Sequence, residues 1–424
     1  FFFKQKTAYE IVSRDWSSDV CSSDLATMRA QRGQHMALSR REFVRRLGAG
    51  GAVAATASGI IGYGREDLFA LEQRGGGQRQ AQAGGAPPIR LSSNENLRGP
   101  SPKVIEALKA APSRDLGLGY PPVHVADFQQ AIATMWGAKP ENVMMATGSG
   151  AELIAGVMAF CQTEKPLVTA DPSYGSPAQT AQRQKYPIKP IALDGNLFLD
   201  LNKLVSASSG AGLVFLCNPN NPSSTVHTQS DVEQAVRDIK KKSPSTAILV
   251  DEAYIDYATA PGVGTAMKVA LELPDVFVTR TFSKAYGMAG MRMGYAIGQP
   301  DTVRKLSNAW GLGDIDELQA VAGIAALADQ EHMAWEKQEN KRVRDYTIGE
   351  FKKMGYQVAE SQTNFIFVNI GRPAAGFRDG CREHGVAVGR DFPPMEKTWA
   401  RISLGRMEDM EKAMPVFKQV LGKA

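Results

Sequence analysis

A mostly parallel α/β sheet with a second, smaller α/β domain is the fold class this sequence predicts, on three observations. From about Pro87 onward, short apolar runs alternate with stretches of helical periodicity. The runs end in polar motifs, and open α/β sheets gather their ligands at the carboxyl ends of strands. The 424 residues, 43% hydrophobic and 22% charged, leave room for two substantial cores.

The segment before Pro87 is set apart from that pattern. Residues Phe1 to about Leu25 carry no sustained helical or strand period and resemble a translated sequencing-adaptor artefact, so residues 1–25 are expected to be non-native, with a natural start at Met28 or Met36. Ser39-Arg40-Arg41-Glu42-Phe43-Val44-Arg45 is followed by the small, apolar run LGAGGAVAATASGIIG. Residues 36–64 therefore resemble a twin-arginine export signal, with a chance Arg pair on an amphipathic helix as the alternative. The run is too short and too rich in Gly and Ala for a comfortable membrane span. A periplasmic location is expected, a cytoplasmic one being the alternative. Residues 65–86, ending in a Gly/Gln/Ala-rich stretch, read as a flexible linker.

The net charge of +5 comes largely from the Arg-rich N-terminal region, with no dense basic stripe interleaved with aromatics farther on, so nucleic acid is not an expected partner. Cys21, Cys161, Cys217 and Cys381 are widely spaced and form no Cys/His cluster, which argues against a metal site and a disulfide framework.

Strands are expected at Val143–Ala146, Leu213–Cys217, Ala247–Val250 and Val276–Thr279. After the first, Thr147-Gly148-Ser149-Gly150-Ala151-Glu152 leads into the helical pattern LIAGVMAF. Such a Gly-rich turn could present backbone N–H groups to a phosphate, or serve tight packing alone. Asn218-Pro219-Asn220-Asn221-Pro222 after the second could be merely a turn. Asp251-Glu252-Ala253-Tyr254 places a carboxylate and a phenol at the mouth of a buried strand, where an unpartnered charge is expensive. A protonated pyridine nitrogen would partner it, and a helix cap is the alternative. In Thr281-Phe282-Ser283-Lys284-Ala285-Tyr286-Gly287, a Lys in a small polar loop can condense with an aldehyde if its surroundings favour the neutral amine. Thr281, Ser283 and Arg292 supply hydroxyls and a planar cation suited to phosphate.

Taken together, NEN…GPSP at Asn94–Pro102, GSGAE, DPSY at Asp171–Tyr174, NPNNP, DEAY, TFSKAYGMAGMRMGY and ARISLG at Ala400–Gly405 resemble the class-I/II aminotransferases that use pyridoxal 5′-phosphate (PLP), closest to the histidinol-phosphate aminotransferase branch. The resemblance runs from about Ile89 to the C-terminus. It implies PLP-dependent transferase fold type I, with an arm over 87–120, a large PLP-binding domain over 121–312 and a small C-terminal domain over 313–424. It implies that Lys284 carries the cofactor and moves the proton, that Asp251 pairs with the ring nitrogen, that Asn221 and Tyr254 bond the ring oxygen, and that Tyr174 stacks on the ring. The phosphate would fall to Gly150, Ala151, Glu152, Thr281, Ser283 and Arg292. Tyr120 would reach it from the neighbouring subunit of a homodimer. Arg401, Asn364 and Asn96 would meet the substrate, an amino acid or amino-phosphate (histidinol-phosphate-like or aromatic) exchanging its nitrogen with a 2-oxo acid such as 2-oxoglutarate. A decarboxylase or lyase of the same fold, resembling threonine-phosphate decarboxylase, is the alternative; a non-catalytic PLP-binding regulator is the other. Two departures stand out. Arg98 replaces part of the usual ENPxGPSP in a stretch near the family's substrate pocket, putting substrate choice in doubt, and Ser223-Ser224 replace the usual Thr-Gly after NPNNP.

Overall fold

The computed structural model describes residues 88–422 except 114–115, 117–118 and 310–313. The expected leader, export signal and linker at 1–25, 36–64 and 65–86 lie outside the described residues. Residues 86–424 form one compact unit.

The chain enters through β1 (Ile89–Leu91), α1 (Pro102–Ala110) and α2 (Val125–Met135). It then lays down β2 (Val143–Ala146), α3 (Ser149–Phe160), β3 (Leu167–Asp171), α4 (Ser176–Arg183), β4 (Ile188–Ala192), α5 (Leu201–Ala207) and β5 (Leu213–Cys217). After α6 (Gln229–Lys242) follow β6 (Ala247–Asp251), α7 (Met267–Glu272), β7 (Val276–Thr281), β8 (Gly294–Gly298) and α8 (Pro300–Ala309). The C-terminal part holds α9 (Glu317–Ala328), α10 (Gln330–Lys353), β9 (Gln357–Val358), β10 (Phe365–Asn369), α11 (Ala374–Glu383), β11 (Val386–Val388), β12 (Trp399–Ser403) and α12 (Met407–Leu421).

Seven strands make the central sheet in the order β2-β8-β7-β6-β5-β3-β4. Its pairs from β4 through β7 are parallel, and β8 runs antiparallel to both its neighbours. Every residue of β5, β6 and β7 is buried, because helices cover both faces of a parallel sheet; that is why LVFLC, AILVD and VFVTRT read as continuous rather than alternating runs. The flanking helices have the matching period. In α6, Val232, Val236 and Ile239 turn inward, the Thr228 hydroxyl accepts the Asp231 N–H at 3.2 Å to cap the helix, and Lys240, Lys241 and Lys242 occupy the last turn. Such a cap contributes about 1 kcal/mol, and cations suit the negative end of the helix dipole.

A second core gathers around a three-stranded antiparallel sheet, β12-β10-β9, with Phe351, Phe377 and Phe417 among its buried side chains. The arm joins it through the parallel pair β1-β11, Leu91 lying opposite Val388. Between the two cores, Tyr254, Tyr257, Ala285 and Phe365 form a small cluster of their own, with the Tyr254 and Phe365 rings edge to face at 5.0 Å. The candidate site is built at that cluster.

Candidate active site

Three consecutive parallel strands aim their carboxyl ends at one place. β5 delivers the loop holding Asn221, β6 ends in Asp251 with Tyr254 just beyond, and β7 ends in Thr281 ahead of Ser283 and Lys284. β12 brings Arg401 from the C-terminal sheet.

Asp251 is 2% exposed, and its Oδ1 accepts from the Thr279 hydroxyl and the Ala253 N–H, both at 3.2 Å. Beside Oδ2 lies the Cys217 thiol at 3.9 Å, a weak donor. Burial pushes the carboxyl up to about 6 against those hydrogen bonds, so a cation at Oδ2 would be strongly favoured. The neighbouring Glu252 points elsewhere: it receives the Ala266 N–H at 2.7 Å and the Thr265 hydroxyl at 2.8 Å, and joins Asp256 in neutralising the buried Arg280, at 3.1 and 2.7 Å.

Lys284 Nζ donates to the Asn94 carbonyl at 3.1 Å and lies 5.4 Å from the centre of the Tyr254 ring. Burial, helped by the charge of Arg401, pushes its amine down to about 8, which is what a lysine that must attack a carbonyl carbon requires. Tyr254 is itself buried, and desolvation raises its phenol well above its ordinary range, keeping it protonated.

Arg401 donates from Nη1 to Asn221 Oδ1 at 2.8 Å and from Nη2 to the Ser92 carbonyl at 2.6 Å, while its Nε has no hydrogen-bond partner. Burial lowers it to about 10, still fully charged at neutral pH. Phe392 is shared between two guanidiniums, with Arg401 at 4.6 Å and Arg390 at 4.5 Å from its ring centre. Tyr174, half-exposed after β3, lies within electrostatic reach of both arginines.

The Gly-rich turn after β2 does start a helix, α3, capped by Gly148 at φ +94. A side chain there would meet Arg292 Nη2 at 2.4 Å and displace the guanidinium from the helix start, and φ +94 strains any residue but glycine. Arg292 also reaches the Ser283 hydroxyl at 3.4 Å and the Ala289 carbonyl at 2.9 Å. Gly150 lies in the first turn, the Ala151 N–H donates to the Gly148 carbonyl at 2.9 Å, and the Thr281 hydroxyl spans Met293 O at 3.3 Å and the Ser283 N–H at 3.1 Å. Glu152 is wholly buried with neither carboxyl oxygen hydrogen-bonded, and desolvation raises it well above the usual carboxylate range. The charges of Asp251 and Arg292 both act on that carboxyl, which places it beside the site.

Asn364 lies at the site, donating to the Asn94 carbonyl at 3.0 Å. Asn96 instead braces the lysine loop, its Nδ2 on Ala285 O at 3.2 Å and its Oδ1 accepting the Arg98 N–H at 3.0 Å. Arg98, the departure noted in the sequence, is held by an ion pair. Its side chain grips Glu336 on α10, with Nε at 2.8 Å from Oε2 and Nη2 on Oε1, while Nη1 reaches Gly405 O at 3.2 Å. Tyr120 is fully exposed in the loop before α2. Residue reading missed Asn94, Ser403 and Arg390. Asn94 stood within the quoted NEN motif, but nothing local distinguishes it from Asn96; its importance comes from partners 160 and 309 residues away.

A buried carboxylate with one oxygen open to a cation, a lysine whose amine burial lowers to about 8 and an arginine beside a glycine at a helix start together suit PLP. The chain belongs to the aminotransferase class I and II family, whose model matches residues 86–417. It is an aminotransferase with PLP as cofactor. Among its relatives, it is similar to the histidinol-phosphate aminotransferase of Moorella thermoacetica, 31% identical over 81% of this chain and 88% of that one. That of Symbiobacterium thermophilum is 30% identical over 79% and 91%. The histidinol-phosphate aminotransferase from Sinorhizobium meliloti, solved in complex with pyridoxal-5′-phosphate, shares the fold with a TM-score of 0.74 at 24% identity, covering 89% of this chain and 99% of that chain.

Proposed function

We propose that this aminotransferase moves the nitrogen of an amino acid or amino-phosphate, of the histidinol-phosphate or aromatic kind, to a 2-oxo acid such as 2-oxoglutarate. The observation that carries this is Arg401: a buried, charged guanidinium with its Nε unpartnered, close enough to Lys284 to depress its amine. An anionic substrate group fits there through paired charge-assisted hydrogen bonds. Arg390, across Phe392, adds a second positive charge that favours a dianionic head such as a phosphate.

When bound, PLP supplies an aldehyde that condenses with amines and a ring that takes up the electron pair left at the substrate Cα. Asp251 would hold the proton on the ring nitrogen, while Arg292, Ser283, Thr281 and the start of α3 would hold the phosphate. Arg401 fixes the substrate so that its Cα–H meets Lys284 Nζ, which removes that proton as the neutral amine. Asn221 and Tyr254 would hydrogen-bond the cofactor's ring oxygen and orient it. Two such half-reactions, first with the donor and then with the 2-oxo acid, complete the exchange.

Histidinol phosphate and aromatic amino acids, each incubated with 2-oxoglutarate, should yield glutamate. Arg401→Gln should lower kcat/KM by about a thousandfold, the loss of roughly 4 kcal/mol of charge-assisted binding. Carbon dioxide released in place of amino transfer would sink the reading. The same proposal includes a homodimer in which the exposed Tyr120 completes the partner's site, to be checked by solution mass, and export directed by the Arg40-Arg41 segment, which a signal-fused reporter retained in the cytoplasm would refute.

A further inference from the structure

The phenol oxygen of Tyr254 receives two N–H donors, Asn94 Nδ2 at 3.1 Å and Asn221 Nδ2 at 3.4 Å. Each amide has its oxygen turned to another donor. Asn221 Oδ1 is held by Arg401 Nη1 at 2.8 Å. Asn94 Oδ1 is held by the Ser403 hydroxyl at 2.6 Å, and that hydroxyl in turn accepts the N–H of Asn94 at 2.9 Å. With the Ser403 proton placed on Asn94 Oδ1, the other end of the amide, Nδ2, faces the Tyr254 phenol. A phenol has two lone pairs and one proton. With both lone pairs turned to amides, the proton is left for a third direction. Asn94 sits at φ +54, a left-handed conformation that asparagine tolerates better than most residues, so its identity suits both its backbone and its side chain.

We propose that Asn94 is a positioning residue of the transamination site: tethered by Ser403, it fixes the Tyr254 hydroxyl as a donor toward the ring oxygen of PLP. The inference rests on the assignment of Lys284, Asp251 and Tyr254 to the cofactor. Ser403 lies two residues beyond Arg401 on β12, so the strand that presents the substrate-binding guanidinium also sets the direction of the phenol.

Donation into a hydroxyl oxygen strengthens the bond that hydroxyl donates, and a donor at the ring oxygen favours the deprotonated form of the bound cofactor. Removing the Asn94 amide therefore weakens that preference. Asn94→Ala should move the visible-absorbance titration of the PLP-loaded protein upward by about half a pH unit. Asn94→Asp, which presents an acceptor to the phenol and draws its proton away, should move it further in the same direction. Ser403→Ala leaves the amide in place but untethered and should give a smaller upward move, a second route if the Asn94 variants fold poorly. In a Tyr254→Phe background, Asn94→Ala should add nothing. An Asn94→Ala protein that titrates with the wild type, or one whose displacement persists without the phenol, overturns the proposal. The titration is read without substrate, so its outcome is independent of which amino donor the enzyme takes.

Discussion

Replacing Lys284 by methionine removes the group the chemistry depends on and should make the cofactor-free protein more stable. The folded protein lowers the lysine amine from 10.5 to about 8, chiefly by burial. That difference corresponds to roughly 3 kcal/mol spent at neutral pH in holding a charge the surroundings disfavour. Against it stands the hydrogen bond to Asn94 O at 3.1 Å, with a longer one to Ser93 O at 3.5 Å. Losing these costs about 1 kcal/mol. The methionine side chain is apolar and of similar length, so a net gain of about 2 kcal/mol is expected. The pH dependence has a definite sign. Below about pH 8 both folded and unfolded lysine are protonated and the penalty is full. Between pH 8 and 10.5 the folded protein holds fewer protons, so raising the pH stabilises the wild type and closes the gap. Urea unfolding of both cofactor-free proteins at pH 7 and pH 10 measures this directly. A Lys284→Met protein less stable than wild type at pH 7, or a gap that widens with pH, would refute the reasoning.

Two further changes test other parts of the frame. Arg98→Met leaves Glu336, whose side chain is fully buried, without its cation, and should destabilise by about 3–5 kcal/mol in urea unfolding. Adding Glu336→Leu should recover most of that loss, and a double variant as weak as the single one would deny the pairing. Gly148→Ala puts a methyl at 2.4 Å from Arg292 Nη2 in a backbone at φ +94. It should weaken PLP binding at least tenfold in an equilibrium titration, about 1.4 kcal/mol or more, and unchanged affinity would remove Gly148 from the cradle.

The parts of the fold that could be read from residues alone are those in which one strand carries its own signal. Leu213–Cys217 and Ala247–Val250 are apolar because both faces of a parallel sheet are covered, and each is followed at once by its polar motif, so the strand and the site residue were visible together. Asn221, Asp251, Tyr254, Lys284 and Arg401 were marked as candidates by the motifs' resemblance to the family, since the strand pattern alone left them open as turn, cap or surface residues. What stayed hidden were relations between distant segments. That β1 pairs in parallel with β11, or that Arg98 reaches Glu336 across 238 residues, depends on how layers dock, and no local period encodes it. Asn94 and Arg390 belong to the same class: their residue types are ordinary loop choices, and only their placement against Tyr254 and Phe392 gives them a role.

The tether between Asn94 and Ser403 has a consequence for the order in which the protein can be made. Its two ends are 309 residues apart, so the phenol at the centre of the site is held by one of the first segments of the described fold and one of the last. A chain that stops before Trp399 already contains Lys284, Asp251, Tyr254 and the whole seven-stranded sheet, yet it lacks both Arg401 and the hydroxyl that orients Asn94. Ribosomal synthesis therefore delivers the residues proposed for the phosphate well before those proposed to choose a substrate.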